Sequence, residues 1–381
     1  MEHKQSPFTR HEVLSTRLMF LCAGLATATW AALIPVIKSH VNFDESTLGF
    51  LLLCLGAGAI ASMPISGALA TKYGCKRVLL VAASVFAACL PLFVLVDNIT
   101  KLAVLLIVFG ISIGSTDCVM NIQAVLVEER SKRSLMSGFH GFYSLGGILG
   151  AGAVAGLLIL GWPAIQICIF MSACIFLCIV LAKDALLPFA SPSEGPAFAL
   201  PKGPVILIGA ICFAMFLAEG TVLDWSGLYL IDYQHASTGM AALGIFCFSV
   251  TMTIGRLVGD NLITHFGQRL ILTLGGLTAS LGLFIAIASP NFALALCGYI
   301  LMGIGCANVV PIMFSAAGKQ TYMPQATAIP AVTTLGYVGV LMGPASVGQI
   351  AHHTSLPTAL VVIALLIATA TLLSCFVKVQ N

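Results

Sequence analysis

Long apolar segments alternate with short polar joints along the whole of this 381-residue sequence. A helix that crosses the hydrocarbon core of a bilayer needs about 20 mostly apolar residues. Twelve segments reach this length, and we predict helices at residues 18–37, 46–70, 77–96, 102–127, 134–160, 162–183, 204–231, 238–260, 269–289, 291–317, 324–350 and 356–377. The pattern therefore predicts an all-α membrane protein with twelve transmembrane helices.

Composition and charge agree with this pattern. Hydrophobic residues make up 59% of the chain and charged residues 8%, whereas a soluble domain has about 25% charged residues. When the polar joints are assigned alternately to the two sides of the membrane, only Lys38 and Lys101 of the 17 lysines and arginines fall on one side. The positive-inside rule then predicts that both termini are cytoplasmic.

A repeated segment indicates that the chain is duplicated. The run GALATKYGCKR at Gly67–Arg77 is similar to DNLITHFGQRL at Asp260–Leu270, with a turn glycine and a cation at matching places. Glycine at such a turn permits positive φ and a close approach of backbones. We predict two pseudo-symmetric six-helix bundles at residues 1–183 and 204–381, joined by a proline- and serine-rich cytoplasmic linker at 184–203.

Several function classes find no support in the sequence. The 13 cysteines are scattered among the helices without a CxxC pair, so we interpret them as small packing residues and predict no metal site and no cofactor. Walker and HExxH motifs are absent, and glycine-rich strings such as GISIG at 110–114 lie inside apolar spans, where no strand precedes a turn; this argues against an enzyme. The net charge of +3 forms no basic face or tail, so no nucleic-acid partner is expected.

Acidic residues inside membrane helices are the main functional candidates, because each costs about 2.5–3.5 kcal/mol on insertion scales. Three acids lie well inside the predicted helices, with Asp260 at the cytoplasmic rim, and we assign proton coupling to Glu219 first, to Asp117 second and to Asp224 third. Unwinding at Gly220 would bring both acids of the seventh helix into one cavity. The alternative for Asp117 is a hydrogen bond that only holds helices four and five together. The alternative for Asp224 is contact with water near the outer rim.

Polar and aromatic side chains near these acids are candidates for solute binding. Asn121 lies one turn after Asp117, and His140 is expected at a similar depth, so that the three side chains would form one cluster. Helix-to-helix hydrogen bonding is the alternative for this cluster. The remaining candidates are Tyr143, the indoles of Trp30 and Trp225, which alternatively anchor the chain at the interface, and Asn308, which precedes a predicted bend at Pro311.

Gating candidates lie at the cytoplasmic ends of the helices. Arg256 and Asp260 are one turn apart, so they form either a gate or a local surface pair. The repeated loops supply the other candidates, which are Gly67, Lys72, Gly74, Lys76, Arg77, Gly267 and Arg269.

The repeated loop resembles the cytoplasmic motif GxxxDxxGRK of the major facilitator superfamily, although Thr71 and Thr264 stand at the acidic position. Within that family, the runs HGFYSLGG (His140–Gly147) and AEGTVLDW (Ala218–Trp225), together with Asp117 followed by Asn121, resemble bacterial inner-membrane transporters related to the fucose permease. This resemblance implies two parallel repeats around a central cavity and sugar:proton symport that uses intramembrane carboxylates.

The sequence thus leads to a functional hypothesis with two alternatives. We predict a secondary active transporter of the inner membrane that moves a small polar solute, such as a sugar, by alternating access in symport with protons. A proton-driven exporter of drugs or metabolites is the first alternative, and a membrane sensor that does not transport is the second. Protons, the solute and membrane lipid are the expected partners of a chain that acts as a monomer.

Overall fold

A computed structural model describes residues 10–43, 45–190 and 200–379, and the secondary structure of this part is helical. The first half contains six helices: α1 (Arg10–Val41), α2 (Glu45–Tyr73), α3 (Cys75–Phe93), α4 (Ile99–Ser131), α5 (Met136–Ile159) and α6 (Ala164–Ala182). The second half contains seven: α7 (Pro204–Gln234), α8 (Thr238–Phe266), α9 (Gln268–Ala288), α10 (Phe292–Cys306), α11 (Val309–Lys319), α12 (Gln325–His353) and α13 (Leu356–Leu373).

Twelve stretches of the described chain are long and apolar enough to cross a membrane, which confirms the predicted number. The tenth stretch, Phe292–Lys319, consists of α10 and α11. Several helices continue past the predicted spans; α1 begins at Arg10 and α8 ends at Phe266. Hydropathy marks only the part of a helix that lies in hydrocarbon, so it does not detect the polar turns beyond it.

Internal contacts divide the chain into two compact units. The N-terminal unit extends to Leu135 and resumes at Phe142, whereas Met136–Gly141, the first turns of α5, belong to the C-terminal unit together with the second half of the chain. Within the N-terminal unit, α2 packs along α4 and α1 along α6; within the C-terminal unit, α7 packs along α12 and α9 along α10.

Small residues allow the closest of these helix pairs to form. In α4, a Cβ on Gly110 or Gly114 would overlap the backbone of Leu55 or Ala59 in α2. In the C-terminal unit, a Cβ on Gly298 of α10 would approach the amide nitrogen of Ala286 in α9 to 2.5 Å. Because lipid provides no hydrophobic force between helices, such close packing is what holds them together.

The first repeated loop is closed by the chain that follows α6. Gly74 adopts φ 82° before α3, a conformation that glycine readily takes. The first amides of α3 have no partner in their own helix; here the amide of Cys75 donates to the carbonyl of Phe189 at 3.4 Å, and that of Lys76 to the carbonyl of Leu187 at 2.8 Å. The residues after α6 therefore cap α3.

The second loop is closed in a related way. Gly267 adopts φ 81° before α9, and Arg269 donates to the carbonyls of Ser374 at 2.7 Å and Val377 at 2.5 Å, beyond α13. The two threonines at the motif's acidic position bond within their own helices, Thr71 to Gly67 at 3.1 Å and Thr264 to Asp260 at 2.7 Å.

Replacing Gly74 with alanine is expected to destabilise the N-terminal unit severely. The backbone conformation there is accessible almost only to glycine, and a Cβ would overlap the carbonyl oxygen of Pro188. We expect a loss of about 3 kcal/mol in the free energy of unfolding in detergent. Gly161 is the matched control, because it has φ +78° but no atom within 4 Å of its would-be Cβ; Gly161→Ala should lose about 1 kcal/mol. Equal losses would show that the contact with Pro188 is unimportant.

Candidate functional site

A break in the tenth membrane span is the centre of the polar cluster in the C-terminal unit. α10 ends at Cys306 and α11 begins at Val309, so Ala307 and Asn308 lie between the two helices. Pro311 has no amide hydrogen and cannot donate to the carbonyl four residues earlier, which is that of Ala307. The predicted bend of this span is thus a break, and it leaves a carbonyl inside the protein that needs another donor.

Arg256 of α8 supplies that donor. Its Nε donates to the carbonyl of Ala307 at 3.3 Å, and its Nη2 lies 3.4 Å from Oε2 of Glu219 in α7. Only 5% of the Arg256 side chain and 21% of the Glu219 side chain are exposed. One guanidinium therefore joins α7, α8 and the broken span through a largely buried ion pair and a backbone hydrogen bond.

Two glycines of α8 allow the broken span to come this close. A Cβ on Gly255 would lie 2.7 Å from the Cβ of Ala307, and a Cβ on Gly259 would overlap the side-chain oxygen of Asn308. The side-chain amide nitrogen of Asn308, Nδ2, also donates to the backbone carbonyl of Gly255 at 3.2 Å. Asn308 thus contributes to the contact between the break and α8.

Asp260 of α8 contacts the start of α5. Its Oδ2 accepts a hydrogen bond from the amide of Gly138 at 3.0 Å, in the first turn of α5. The first turn of a helix has amides without helical partners and a partial positive charge, both of which favour a carboxylate. His140, two residues later in α5, is buried, with its ring centroid 5.6 Å from that of Phe314 in α11.

In the N-terminal unit, Asp117 of α4 is a buried acid. It is 6% exposed, and its Oδ1 has no hydrogen-bond partner among the described residues. Asn121 donates its side-chain amide to the backbone carbonyl of Asp117 at 2.8 Å, while its own Oδ1 also has no partner within the described part of the chain. Asp117 and Asn121 therefore lie together as expected, whereas His140 belongs to the C-terminal unit.

The seventh helix is continuous. α7 runs through Gly220 and Gly227 to Gln234, so the unwinding expected at Gly220 does not occur. Five residues rotate an α-helix by about 140°, and Asp224 is accordingly exposed while Glu219 is half-buried. The two acids of α7 do not face the same way.

The aromatic candidates lie in three different environments. Trp30 is 5% exposed and packs against Phe93, with ring centroids 4.5 Å apart, which is the environment of a core side chain. The hydroxyl of Tyr143 lies 3.4 Å from that of Thr27. Trp225 is half-buried, and its indole nitrogen has no hydrogen-bond partner in the described ranges.

Two ion pairs are not predicted from the sequence. Glu219 and Arg256 are 37 positions apart, and Glu12 of α1 lies 3.3 Å from Arg130 of α4. Neither pair has a local spacing that would reveal it. Within residues 10–43, 45–190 and 200–379, no group of three or more His, Cys, Asp and Glu side chains is placed to hold a metal ion.

Comparisons with known proteins identify relatives of this chain. The family model described as Major Facilitator Superfamily matches residues 18–344. An uncharacterized MFS-type transporter of Yersinia pestis is 44% identical over 357 residues, which cover 93% of each chain. The uncharacterized transporter y4wD of Sinorhizobium fredii is 32% identical over 364 residues, which cover 94% of this chain and 96% of the relative.

A solved structure has a similar fold. The Escherichia coli fucose:proton symporter FucP superposes with a TM-score of 0.78 at 18% sequence identity, covering 96% of this chain and 98% of FucP. Identity this low relates the two proteins by fold alone.

Proposed function

Since this chain belongs to the major facilitator superfamily, and is thus a membrane transporter rather than an enzyme, we propose that it moves a small polar solute by alternating access in symport with protons. The observation that carries this proposal is the ion pair of Glu219 and Arg256 beside the broken tenth span. Ionisable groups are rare in membrane helices and commonly belong to proton or solute pathways.

The ion pair provides a way to couple protons to a conformational change. The guanidinium of Arg256 lies 3.4 Å from the carboxylate of Glu219. A proton that binds this carboxylate therefore competes with the guanidinium. Protonation of Glu219 would remove the charge that holds Arg256, and the contact between α7 and α8 would weaken. A proton that favours one of two conformations in this way shifts the equilibrium between them.

Two acceptors in the N-terminal unit support a hydroxylated solute. Oδ1 of Asp117 and Oδ1 of Asn121 are buried and have no donors within the described residues. Buried acceptors without donors are unfavourable, and a polyol such as a sugar supplies several hydroxyl donors. We therefore favour a sugar or a similar hydroxylated metabolite as the solute.

The proposal includes the organisation of the chain in the membrane. Residues 1–183 and 204–381 would act as the two halves of the transport cycle, with 184–203 as the linker between them. The relatives above are bacterial, and twelve helical spans favour the inner membrane. The distribution of lysine and arginine favours an orientation with both termini in the cytoplasm. The repeated loops and the Arg256 and Asp260 region would control opening on the cytoplasmic side.

Flux measurements on the purified chain in proteoliposomes test this function. With a panel of labelled sugars and other hydroxylated metabolites, we expect one solute to accumulate above its external concentration when the outside is acidic. A protonophore should abolish this accumulation but leave solute exchange intact. Expulsion of solute driven by the same gradient would identify an exporter, and the absence of flux for the whole panel would favour the sensor; either result contradicts the proposal.

A further inference from the structure

An apolar groove runs along the outside of the N-terminal unit, over α2, α3 and α4. One part is a cavity of about 370 Å³ that is lined by Tyr73, Arg77, Val81, Val85 and Val108 among others. A second cavity of about 680 Å³ begins at the same Val85 and Val108 and continues to Lys101. The two cavities therefore form one groove with a cation near each end.

The length of the first cavity matches one leaflet of a bilayer. Arg77 and Val85 are both in α3, eight residues or about 12 Å apart along the helix axis. Half of the hydrocarbon core of a bilayer is about 15 Å thick. The lining side chain of Val81 is 65% exposed, and that of Ile111 on α4 is 44% exposed. An acyl chain of a single leaflet would cover these exposed apolar surfaces.

The two ends of the groove differ in charge. Lys101 donates to both carboxylate oxygens of Asp97, at 2.8 and 3.0 Å, and this hydrogen bond lowers the pKa of Asp97, so that the carboxylate stays ionised beside the lysine. Arg77 is exposed, and its guanidinium has no ion pair or hydrogen bond among the residues that the structure describes. Among the described residues that line the groove, a cation without a counter-ion is thus found only at the end near the α2–α3 loop.

The second half of the chain shows that the loop does not require this cation. Leu270 stands at the position of Arg77 in the repeat, and it is 45% exposed. The neighbouring cation of that repeat, Arg269, binds backbone carbonyls. The arginine at the groove is therefore a feature of the first half alone.

We propose that this groove binds an anionic phospholipid, with the phosphate on the guanidinium of Arg77 and one acyl chain along Val81 and Val85. A guanidinium binds phosphate through paired hydrogen bonds, and anionic headgroups attract basic residues at the membrane surface. The lipid belongs to the leaflet that faces the cytoplasm, an assignment that rests on the topology proposed above. The charge of Arg77 selects the headgroup, whereas the groove holds the chain.

Lipid titration of the full-length protein tests the site. Native mass spectrometry in detergent would compare the binding of phosphatidylglycerol and phosphatidylcholine to the parent chain and to Arg77→Leu, which copies the residue of the second repeat. We expect the parent to prefer phosphatidylglycerol, and the variant to bind it about five- to tenfold more weakly, close to phosphatidylcholine. Inorganic phosphate at equal concentration should not displace the lipid.

Two further variants separate the groove from general electrostatics. Lys101→Leu makes the same change of charge at the other end and should leave binding of phosphatidylglycerol within about twofold of the parent. Val81→Trp fills the groove but keeps Arg77, and it should weaken the binding of both lipids. The proposal is overturned if Arg77→Leu binds like the parent, or if Lys101→Leu loses as much affinity as Arg77→Leu.

The test does not depend on transport or on the stability of one variant. Melting in detergent without added lipid shows whether each variant folds like the parent. If Arg77→Leu does not fold, lipid binding to Val81→Trp tests the proposal by itself. Unchanged lipid binding in that variant would show that the groove is not the binding site. Because lipid binding is measured without a solute, its failure is distinguishable from a failure of the proposed transport activity.

Discussion

Replacing Glu219 with glutamine is expected to abolish proton-driven accumulation of the solute while exchange across the membrane continues. Glutamine has nearly the same shape and keeps an oxygen that accepts from Arg256, but it cannot bind and release a proton. The carboxylate lies 3.4 Å from the guanidinium, so the variant loses the competition between proton and arginine that we propose as the coupling step. Uptake and exchange in proteoliposomes, with and without a pH gradient, measure the two activities separately.

Two matched variants make this test specific. Asp224→Asn changes an exposed acid on the same helix and should accumulate solute like the parent. Asp117→Asn changes the buried acid of α4, and because its Oδ1 lacks a donor in the described chain, we expect weaker solute binding with coupling retained. Unchanged accumulation in Glu219→Gln would exclude Glu219 as the proton carrier, and a loss confined to Asp117→Asn would place that role in α4.

Replacing Arg256 with methionine is expected to destabilise the C-terminal unit and to abolish transport. The change leaves the carboxylate of Glu219 without its guanidinium and the carbonyl of Ala307 without the Nε donor that lies 3.3 Å away. Removal of one partner from a buried ion pair costs about 3–5 kcal/mol. Since 21% of the Glu219 side chain is exposed, we expect the lower end, about 3 kcal/mol in the free energy of unfolding.

A double variant separates stability from function. Glu219→Met combined with Arg256→Met replaces both charges by apolar side chains, which is often nearly neutral for stability. We expect the double variant to be within about 1 kcal/mol of the parent, the remainder being the lost hydrogen bond to Ala307. It should still fail to transport. A double variant as unstable as Arg256→Met would mean that the pair does not account for the loss.

The sequence by itself determines the membrane architecture of this protein. Apolar stretches of about 20 residues define membrane spans wherever the rest of the chain lies, and the twelve spans follow from them. Single residues also predict features that hydropathy does not. Gly74 and Gly267 both adopt positive φ before a helix, and Pro311 leaves the carbonyl of Ala307 without a donor from its own helix. These features depend on residues that are close together in the chain.

The tertiary structure decides which polar groups meet. Glu219 and Arg256 are 37 positions apart in the chain and form an ion pair, and Asp260 accepts from Gly138 in α5. The continuity of α7 through Gly220 is likewise absent from any local pattern, since glycine is tolerated in packed membrane helices. Side chains far apart in sequence meet only when helix rotation, depth and packing are all fixed, and those quantities arise from the contacts of whole helices rather than from neighbouring residues.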